Sequence, residues 1–179
     1  LYQICLKTAS NYRLNPTRSK RDNGKNWLTI GGNLVLKNDR NISTLNQLAA
    51  MARDLSPVAS SRIFASLYYK NKPISYGYNH MKSHPFQAHW AKNDDAIYWH
   101  AETHAIWNAL RICDEDDLKK MTLYVSRARR PEDGNLKHWI WGNSRPCEGC
   151  MSCLTKYNIK RVVYTLDDIG EYGVINGHF

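Results

Sequence analysis

The chain has 179 residues, of which 42% are hydrophobic and 23% charged, so it can form one domain with its own core. No apolar run approaches the roughly 18 residues that a membrane-spanning helix needs, and we expect no membrane partner. The formal net charge is +9, which is compatible with contact to nucleic acid.

Most of the positive charge lies near the N-terminal end. Residues 1–41 hold eight Lys and Arg against two Asp, whereas residues 42–179 hold seventeen Lys and Arg against fourteen Asp and Glu. We therefore predict a basic N-terminal extension, 1–41, followed by the main domain, 42–179. Residues 27–36 of the extension are apolar enough to form a hairpin. The extension could contact nucleic acid, or it could be a solvated segment or a strand packed on the core.

The main domain alternates predicted helices and strands. Ser43 is predicted to cap a helix with Leu45, Leu48 and Ala52 on its apolar side, ending before Pro57. Two strands at 62–69 and 73–78, joined at 70–72, form a predicted hairpin. Further strands are predicted at 121–125 and 160–166, a loop at 128–146, and a short fifth strand could lie in the tail after Asp167. This order indicates an α/β fold in which helices pack on a mixed sheet.

Two motifs stand out between these strands. His100-Ala101-Glu102 is followed at a distance by Pro146-Cys147-Glu148-Gly149-Cys150, the H-x-E and P-C-x-x-C pattern of zinc deaminases that act on nucleobases. One imidazole and two thiolates give zinc three protein ligands and leave its fourth position open for water, whose pKa zinc lowers. Glu102, two residues past the first ligand, can move protons without occupying the metal.

Spacing supports this assignment. If Cys147 starts a helix, Cys150 lies one turn later on the same face, and the positive helix end favours thiolates. His100 also precedes a helical pattern, because Ala105, Ile106 and Ala109 share one apolar side.

Three other interpretations of the motif are a chance match, a closed structural zinc site and a zincin. H-x-E alone is a common tripeptide, but its pairing with P-C-x-x-C at the head of a second helix disfavours chance. A closed structural zinc site could recruit Cys153, but on a helix Cys153 is rotated by about 120° from Cys147 and lies about 9 Å further along the axis. A zincin would need Glu directly after the first His, where this chain has Ala101.

From about Ser43 to Thr165 the chain resembles the cytidine/deoxycytidylate deaminase superfamily, and in particular its small phage-encoded deoxycytidylate-deaminase-like members. Besides the two zinc motifs, the resemblance rests on Gly77-Tyr78-Asn79 and on Tyr157-Asn158-Ile159-Lys160-Arg161-Val162-Val163-Tyr164. It implies a three-layer fold with a mixed five-stranded sheet flanked by helices, and it makes 42–179 the catalytic domain. It also implies Zn²⁺ on His100, Cys147 and Cys150, with Glu102 as the catalytic proton shuttle.

The resemblance also suggests where a substrate binds. It makes Asn79 the hydrogen-bond partner of the sugar, and we include Ala101 among the candidate substrate-binding residues. Lys82, His84 and Arg145 lie in loops beside the motifs and could bind a 5′-phosphate, although each could equally be a solvent-facing or loop-bonded side chain.

The chain departs from the family pattern in three places. Residues 126–145 separate the third strand from P-C-x-x-C, where relatives have only a few residues, and the loop after Asn79 differs from that of nucleotide-regulated enzymes. His104, where many relatives carry Asn, is predicted to pack near the site rather than bind metal.

Three classes of function follow. The first is hydrolytic deamination of the cytosine of a free nucleotide, most simply deoxycytidine monophosphate (dCMP) to deoxyuridine monophosphate (dUMP). The second is deamination of cytosine or adenine in single-stranded DNA or RNA, which the basic extension and the Trp-bearing loop favour. The third is a zinc-binding module without catalysis, which would leave Glu102 without a role.

Cellular location and assembly are predicted from weaker signals. Five cysteines, two of them in the metal motif, favour a reducing compartment, and the N-terminal end lacks the pattern of a secretory leader. We expect a cytoplasmic protein, in the host cytoplasm if it is phage-encoded. The resemblance implies a homo-oligomer.

Overall fold

The computed structural model describes residues 39–58, 61–91, 98–132 and 138–177, together with two strands nearer the N-terminus. Those strands, β1 (Trp27–Ile30) and β2 (Asn33–Leu36), pair antiparallel as a separate two-stranded sheet, so the hairpin predicted at 27–36 is confirmed. Asp39, Arg40 and Asn41, the last residues of the predicted extension, lie at the start of a helix, and the rest of the extension, including Cys5, lies outside the described residues. The domain boundary at residue 42 stays a prediction.

The main sheet has six strands. In chain order they are β3 (Arg62–Tyr69), β4 (Lys72–Tyr78), β5 (Thr122–Arg129), β6 (Ile140–Gly142), β7 (Arg161–Thr165) and β8 (Tyr172–Asn176). Their spatial order is β4-β3-β5-β7-β8, with β6 beside the far end of β5. β5 and β7 run parallel, and every other pair is antiparallel. The predicted mixed sheet is confirmed, and β6 adds a sixth strand.

Helices cover both faces of the sheet. Alternate residues of a strand face opposite sides, so Leu123 and Val125 pack under α3 (Ala101–Leu110) and α5 (Glu148–Lys156), whereas Tyr124 packs with α1 (Arg40–Arg53). The short helices α2 (Pro85–Trp90) and α4 (Glu115–Leu118) flank α3 in the chain. This confirms the three-layer α/β fold. No helix in the described part of the chain combines the length and the apolar character needed to cross a bilayer.

The start of α1 differs from the prediction. Asp39 caps this helix, because its carboxylate accepts hydrogen bonds from the backbone N–H groups of Asn41 at 2.8 Å and Ile42 at 3.4 Å. Ser43, the predicted cap, lies inside the first turns and is exposed. Both residue types are good caps, but Asp39 also accepts a hydrogen bond from the Tyr172 hydroxyl of β8 at 2.9 Å, a tertiary contact that the local sequence does not reveal.

The segment between β5 and P-C-x-x-C also differs from the prediction. β5 continues to Arg129, four residues past its predicted end, because residues 126–128 pair with β3 and residues 127–129 pair with β6. β6 itself lies in the stretch that we predicted as a loop over 128–146. Arg127, Ala128 and Arg129 pair with Gly142, Trp141 and Ile140 in that order. A strand of three residues that ends in Gly is too short to show a periodic pattern, and residues 133–137 lie outside the described residues.

Candidate active site

The first wall of the site is the N-terminal turn of α3. His100 is the N-cap residue of this helix, and Glu102 lies in its first turn. Gln87 of α2 holds this turn in place. Its Oε1 atom accepts hydrogen bonds from the Thr103 hydroxyl at 2.5 Å and from the backbone N–H of His100 at 3.3 Å. Gln87 is 1% exposed, so these bonds form in the protein interior, where they are worth more than at the surface.

The second wall is the start of α5. Cys147 is the N-cap residue and Cys150 lies one turn later, as the spacing predicts. His100 Nδ1 lies 3.5 Å from Cys147 Sγ and 3.3 Å from Cys150 Sγ. The three potential ligand atoms all lie within 4.8 Å of one another, and no other group of three His, Cys, Asp or Glu in the described ranges meets that condition. The two helix starts therefore bring one nitrogen and two sulfurs to a single point.

The pKa values of the two thiols shift in opposite directions. A hydrogen bond from the Cys150 thiol and a second contact with His100 lower the pKa of Cys147 to about 4. The same contact with Cys147, together with complete burial, raises the pKa of Cys150. The hydrogen bond with Cys147 also raises the pKa of His100. Because a bound dication would favour the deprotonated form of all three groups, metal binding and proton release are coupled here.

This donor set fits zinc. One imidazole and two thiolates are soft and borderline ligands of the kind that zinc prefers, and three ligands leave a tetrahedral ion with an open position. Cys153, the candidate fourth ligand of a closed site, is fully buried in the core beneath α3 and α5 and is not part of the donor group. The arrangement is therefore that of a catalytic zinc site rather than a closed structural one.

Glu102 lies beside the donor group without belonging to it. It is 5% exposed, and burial raises the pKa of its carboxyl group, while the charge of His100 and a contact with the Cys150 thiol act in the opposite direction. A carboxyl group held close to a metal site in a low-dielectric setting can accept and return a proton near neutral pH.

A cavity of ≈ 270 Å³ opens in front of these groups. His100, Glu102 and Cys147 form part of its lining, which confirms that the donor group is accessible from one side. Its remaining lining comes from the loop before β3, the ends of β3, β4 and β5, the segment before α3 and the segment before α5: Val58, Ser61, Ile63, Asn79, Tyr98, Ala101, Arg127, Asn143, Ser144 and Arg145.

The predicted substrate-binding residues divide into two sets. Asn79, Ala101 and Arg145 line the cavity, whereas Lys82 and His84 do not. Lys82 is exposed in the turn after β4. His84 caps α2 by accepting a hydrogen bond from the Phe86 N–H at 3.2 Å, and its ring stacks on Trp99 with centroids 3.9 Å apart.

Asn79 is held in one orientation by the strands around it. Its Oδ1 atom accepts a hydrogen bond from the Ile63 N–H at 2.9 Å, and its Nδ2 atom donates to the Ser61 carbonyl at 3.0 Å. A side-chain amide has two donor hydrogens and two acceptor lone pairs. One of each is used in these contacts, so the group keeps one of each for a ligand in the cavity.

His104 packs beside the site, one turn after His100. Its Nδ1 atom lies 3.1 Å from His80 Nε2 and 3.2 Å from the Tyr78 backbone nitrogen, and burial lowers the pKa of both histidines. The Trp99 ring packs against both histidine rings and does not line the cavity. These rings hold the loop after β4 against α3.

Sequence reasoning missed several cavity residues, above all Arg127. One signal could have found it. Leu123 and Val125 face α3 and α5, and strand alternation puts Arg127 on the same side. Tyr98, Asn143 and Ser144 come from irregular segments, which no periodic pattern marks.

A mixed sheet between helix layers, with an N,S,S donor group and a carboxyl group at two helix starts, defines a zinc-binding deaminase. The family model for the cytidine and deoxycytidylate deaminase zinc-binding region matches residues 37–166, and the chain belongs to this family. Its cofactor is Zn²⁺. No curated protein sequence matches the chain.

Two solved structures resemble the chain in outline. One is the dCMP deaminase from the cyanophage S-TIM5 in apo form, with 14% identity over 70% of this chain and 79% of that chain, and a TM-score of 0.43. The other is the cyanophage S-TIM5 enzyme in complex with dCMP and dUMP, with 14% identity over 69% of this chain and 76% of that chain, and a TM-score of 0.40.

Proposed function

We propose that this protein hydrolyses the cytosine amino group of a free nucleotide, with dCMP as its substrate and dUMP and ammonia as its products. The observation that carries the proposal is the meeting of His100, Cys147 and Cys150 with Glu102 at the wall of one cavity. A module that only binds zinc has no use for a buried carboxyl group beside three ligands and an accessible cavity.

In this proposal His100, Cys147 and Cys150 are the zinc ligands. Zinc, when bound there, supplies a nucleophile from water at neutral pH. The opposed starts of α3 and α5 add the positive ends of two helix dipoles, which stabilise negative charge at this point. Zinc binding further requires that both thiols lose their protons, which the low pKa of Cys147 favours for one thiol and the raised pKa of Cys150 opposes for the other.

Glu102 is the catalytic proton carrier. It accepts a proton from the attacking water and delivers it to N3 of the cytosine ring while oxygen adds at C4. It then delivers the second proton of that water to the amino group, which leaves as ammonia, so the ring becomes uracil. General acid–base catalysis of this kind contributes about 10²–10⁴-fold.

The cavity residues orient the substrate. Asn79, already fixed by Ile63 and Ser61, keeps one donor and one acceptor for the sugar. Ala101, between the first ligand and Glu102, lines the cavity where the base would lie. The cavity volume of ≈ 270 Å³ lies just below the roughly 300–1,000 Å³ typical of ligand pockets. A cavity of this size favours a single nucleotide over a longer chain.

The polynucleotide alternative finds less support. It was favoured in part by the tryptophans of the segment between β5 and α5. Trp141 is 3% exposed and packs with α1 in the core, and Trp139 has the Arg130 guanidinium 3.9 Å and the Arg62 guanidinium 5.0 Å from its ring centroid. Both rings are therefore engaged within the protein, whereas base stacking requires a free aromatic face.

An activity panel tests the proposal. Ammonia release from dCMP, cytidine and a cytosine-bearing oligonucleotide is measured for the zinc-loaded wild type, with and without residues 1–41. We expect turnover of dCMP, and its loss in Glu102→Ala with zinc content unchanged. Glu148→Gln, an exposed carboxylate in the second motif, is the matched control and should remain active. Activity on the oligonucleotide alone, lost with residues 1–41, would overturn the proposal.

The cytoplasmic location, the homo-oligomer and the separation of residues 1–41 from a catalytic domain at 42–179 remain predictions. The same truncation informs the last of these. A shortened protein that keeps its zinc supports a catalytic domain at 42–179, although its melting temperature should fall because the truncation also removes the Asp39 cap of α1.

A further inference from the structure

Arg127 occupies an unusual position for an arginine. It lies on the face of β5 that packs under α3 and α5, in register with Ile63 of β3, and it lines the cavity. Its Nε atom is buried and has no hydrogen-bond partner among the residues that the structure describes. Burying part of a cation without a partner is costly, so a group that accepts hydrogen bonds from Arg127 is expected to arrive from outside.

Arg129, the next arginine on the same face of β5, has carboxylates close to its side chain, whereas Arg127 has none among the described residues. Arg129 Nε lies 3.5 Å from Asp167 Oδ1 and Arg129 Nη1 lies 3.7 Å from Glu132 Oε1. Arg129 is not part of the cavity lining. Across the described ranges, Arg127 has no carboxylate within ion-pair distance. The Nε atoms of both arginines are buried without a hydrogen-bond partner in the described residues. Arg127 therefore differs from Arg129 in charge balance, because two carboxylates lie within ion-pair distance of Arg129 alone.

The fold makes room for the Arg127 side chain. Gly142 of β6 is its direct partner across the strands, and a Cβ atom at Gly142 would lie 3.0 Å from Arg127 Cδ and 3.1 Å from Arg129 Cδ. A larger residue at 142 would therefore press on the stems of both arginines. Pairing of β6 with the end of β5, the feature that the sequence did not reveal, holds Arg127 at the cavity wall.

A second cation lies in the same lining. Arg145 is exposed, and its backbone N–H donates to Asn143 Oδ1 at 2.9 Å, which fixes the turn before Cys147. The carboxyl group in the cavity lining is Glu102, which the proposed reaction uses. Two guanidinium groups match the charge of one phosphate monoester, and the planar guanidinium fork suits phosphate oxygens.

We propose that Arg127, assisted by Arg145, binds the 5′-phosphate of the substrate and makes the enzyme selective for a nucleoside monophosphate over the nucleoside. This inference rests on the proposed function, because it names the part of the substrate that the cavity recognises. It assigns the phosphate to the end of β5 rather than to Lys82 and His84, which lie outside the cavity lining.

The test compares Arg127→Met and Arg127→Lys with Arg129→Met, a control on the same face of the same strand. For each zinc-loaded protein, kcat/KM is measured with dCMP and with deoxycytidine. We expect Arg127→Met to lower kcat/KM for dCMP by about 10- to 100-fold, the usual effect of losing hydrogen bonds to a charged group. In Arg127→Met, kcat/KM for deoxycytidine should change less than about threefold. Arg127→Lys should recover part of the lost kcat/KM for dCMP. Arg129→Met should keep the wild-type ratio of kcat/KM for dCMP to kcat/KM for deoxycytidine.

Binding of the product decides the question independently of turnover. Calorimetry with dUMP and with deoxyuridine should show tighter binding of dUMP by the wild type and loss of that difference in Arg127→Met. An equal loss for both ligands, or an unchanged preference for the monophosphate, would overturn the role of Arg127. If no cytosine substrate is turned over but dUMP binding still depends on Arg127, the proposed function fails and the phosphate site stands. Unchanged melting temperature and zinc content show that each variant is folded.

Discussion

Gly77 of β4 lies directly against the backbone of Ala101 at the start of α3. A Cβ atom built on Gly77 would lie 2.2 Å from the Ala101 carbonyl oxygen and 2.2 Å from the Ala105 nitrogen. Both neighbours are backbone atoms, so no side-chain rotation could relieve the overlap. The Ser75 hydroxyl, two residues earlier on the same face of β4, donates to the Ala105 carbonyl at 2.8 Å and fixes the same contact.

Gly77→Ala should therefore disturb the metal site from a distance. The helix must move away from the sheet, which displaces His100 and Glu102, and overpacking of this kind costs about 1–3 kcal/mol or more. We expect a lower free energy of unfolding in urea and a weaker affinity for zinc. Lys72→Ala, at an exposed position of the same strand, should change neither. Normal zinc affinity in Gly77→Ala would show that the close approach has no bearing on the site.

The two cysteines one turn apart on α5 should behave differently. Cys150→Ala removes one of the three donors, so we expect the purified protein to lose bound zinc. Cys153→Ala only shortens a buried apolar side chain, and it should retain one zinc per chain while losing on the order of 1 kcal/mol of stability. Metal analysis together with urea unfolding measures both effects. Loss of zinc from Cys153→Ala would instead support a closed structural site with Cys153 as the fourth ligand.

Removal of zinc should loosen the two helix starts. His100 comes from the start of α3, and Cys147 and Cys150 come from the start of α5, so the ion would link two elements across the cavity. A ligand that binds only the folded state raises stability. We expect a chelator to lower the melting temperature and added zinc to restore it. The His100→Ala protein should respond to neither treatment, and an identical response in both proteins would contradict the assignment of His100.

Asp39 and Ser43 provide a pair of variants for the start of α1. Asp39→Ala removes the carboxylate that caps the helix and accepts from Tyr172, and it should cost about 0.5–2 kcal/mol. Ser43→Ala, inside the helix and exposed, should stay within about 0.5 kcal/mol of the wild type. Urea unfolding of both variants measures the difference. A larger loss of stability in Ser43→Ala than in Asp39→Ala would show that Ser43 caps the helix, as the sequence predicts.

The parts of the site that the sequence predicted are those set by local spacing. His100 and Glu102 are two residues apart, and Cys147 and Cys150 are three apart, so the helix period alone fixes their relative positions. Hydrophobic alternation in β3, β5 and β7 likewise predicted the centre of the sheet. A zinc site then requires only that the starts of the two helices lie next to each other. The order of strands and helices in the sequence is consistent with that arrangement.

The parts that the sequence did not predict depend on pairing between distant segments. Residues 140–142 form β6 because they pair with the end of β5, and the sequence of neither segment alone predicts that pairing. Arg127 is a different case, because strand alternation from Leu123 and Val125 already places it on the side of the cavity. Gln87 gives no sequence sign of its role either, because its two hydrogen bonds cross from α2 to the start of α3.

Ser144 joins the irregular chain before Cys147 to two strands at once. Its N–H donates to the Thr165 carbonyl at 3.0 Å, its hydroxyl donates to the Val125 carbonyl at 2.9 Å, and its Oγ accepts from the Thr165 N–H at 3.0 Å. Since this clamp sits between the β5–β6 hairpin and the zinc-binding cysteines, protein engineers gain a natural grafting point. Residues on the far side of β6 from Ser144 could be exchanged in an engineered variant, while the clamp keeps Cys147 and Cys150 in place.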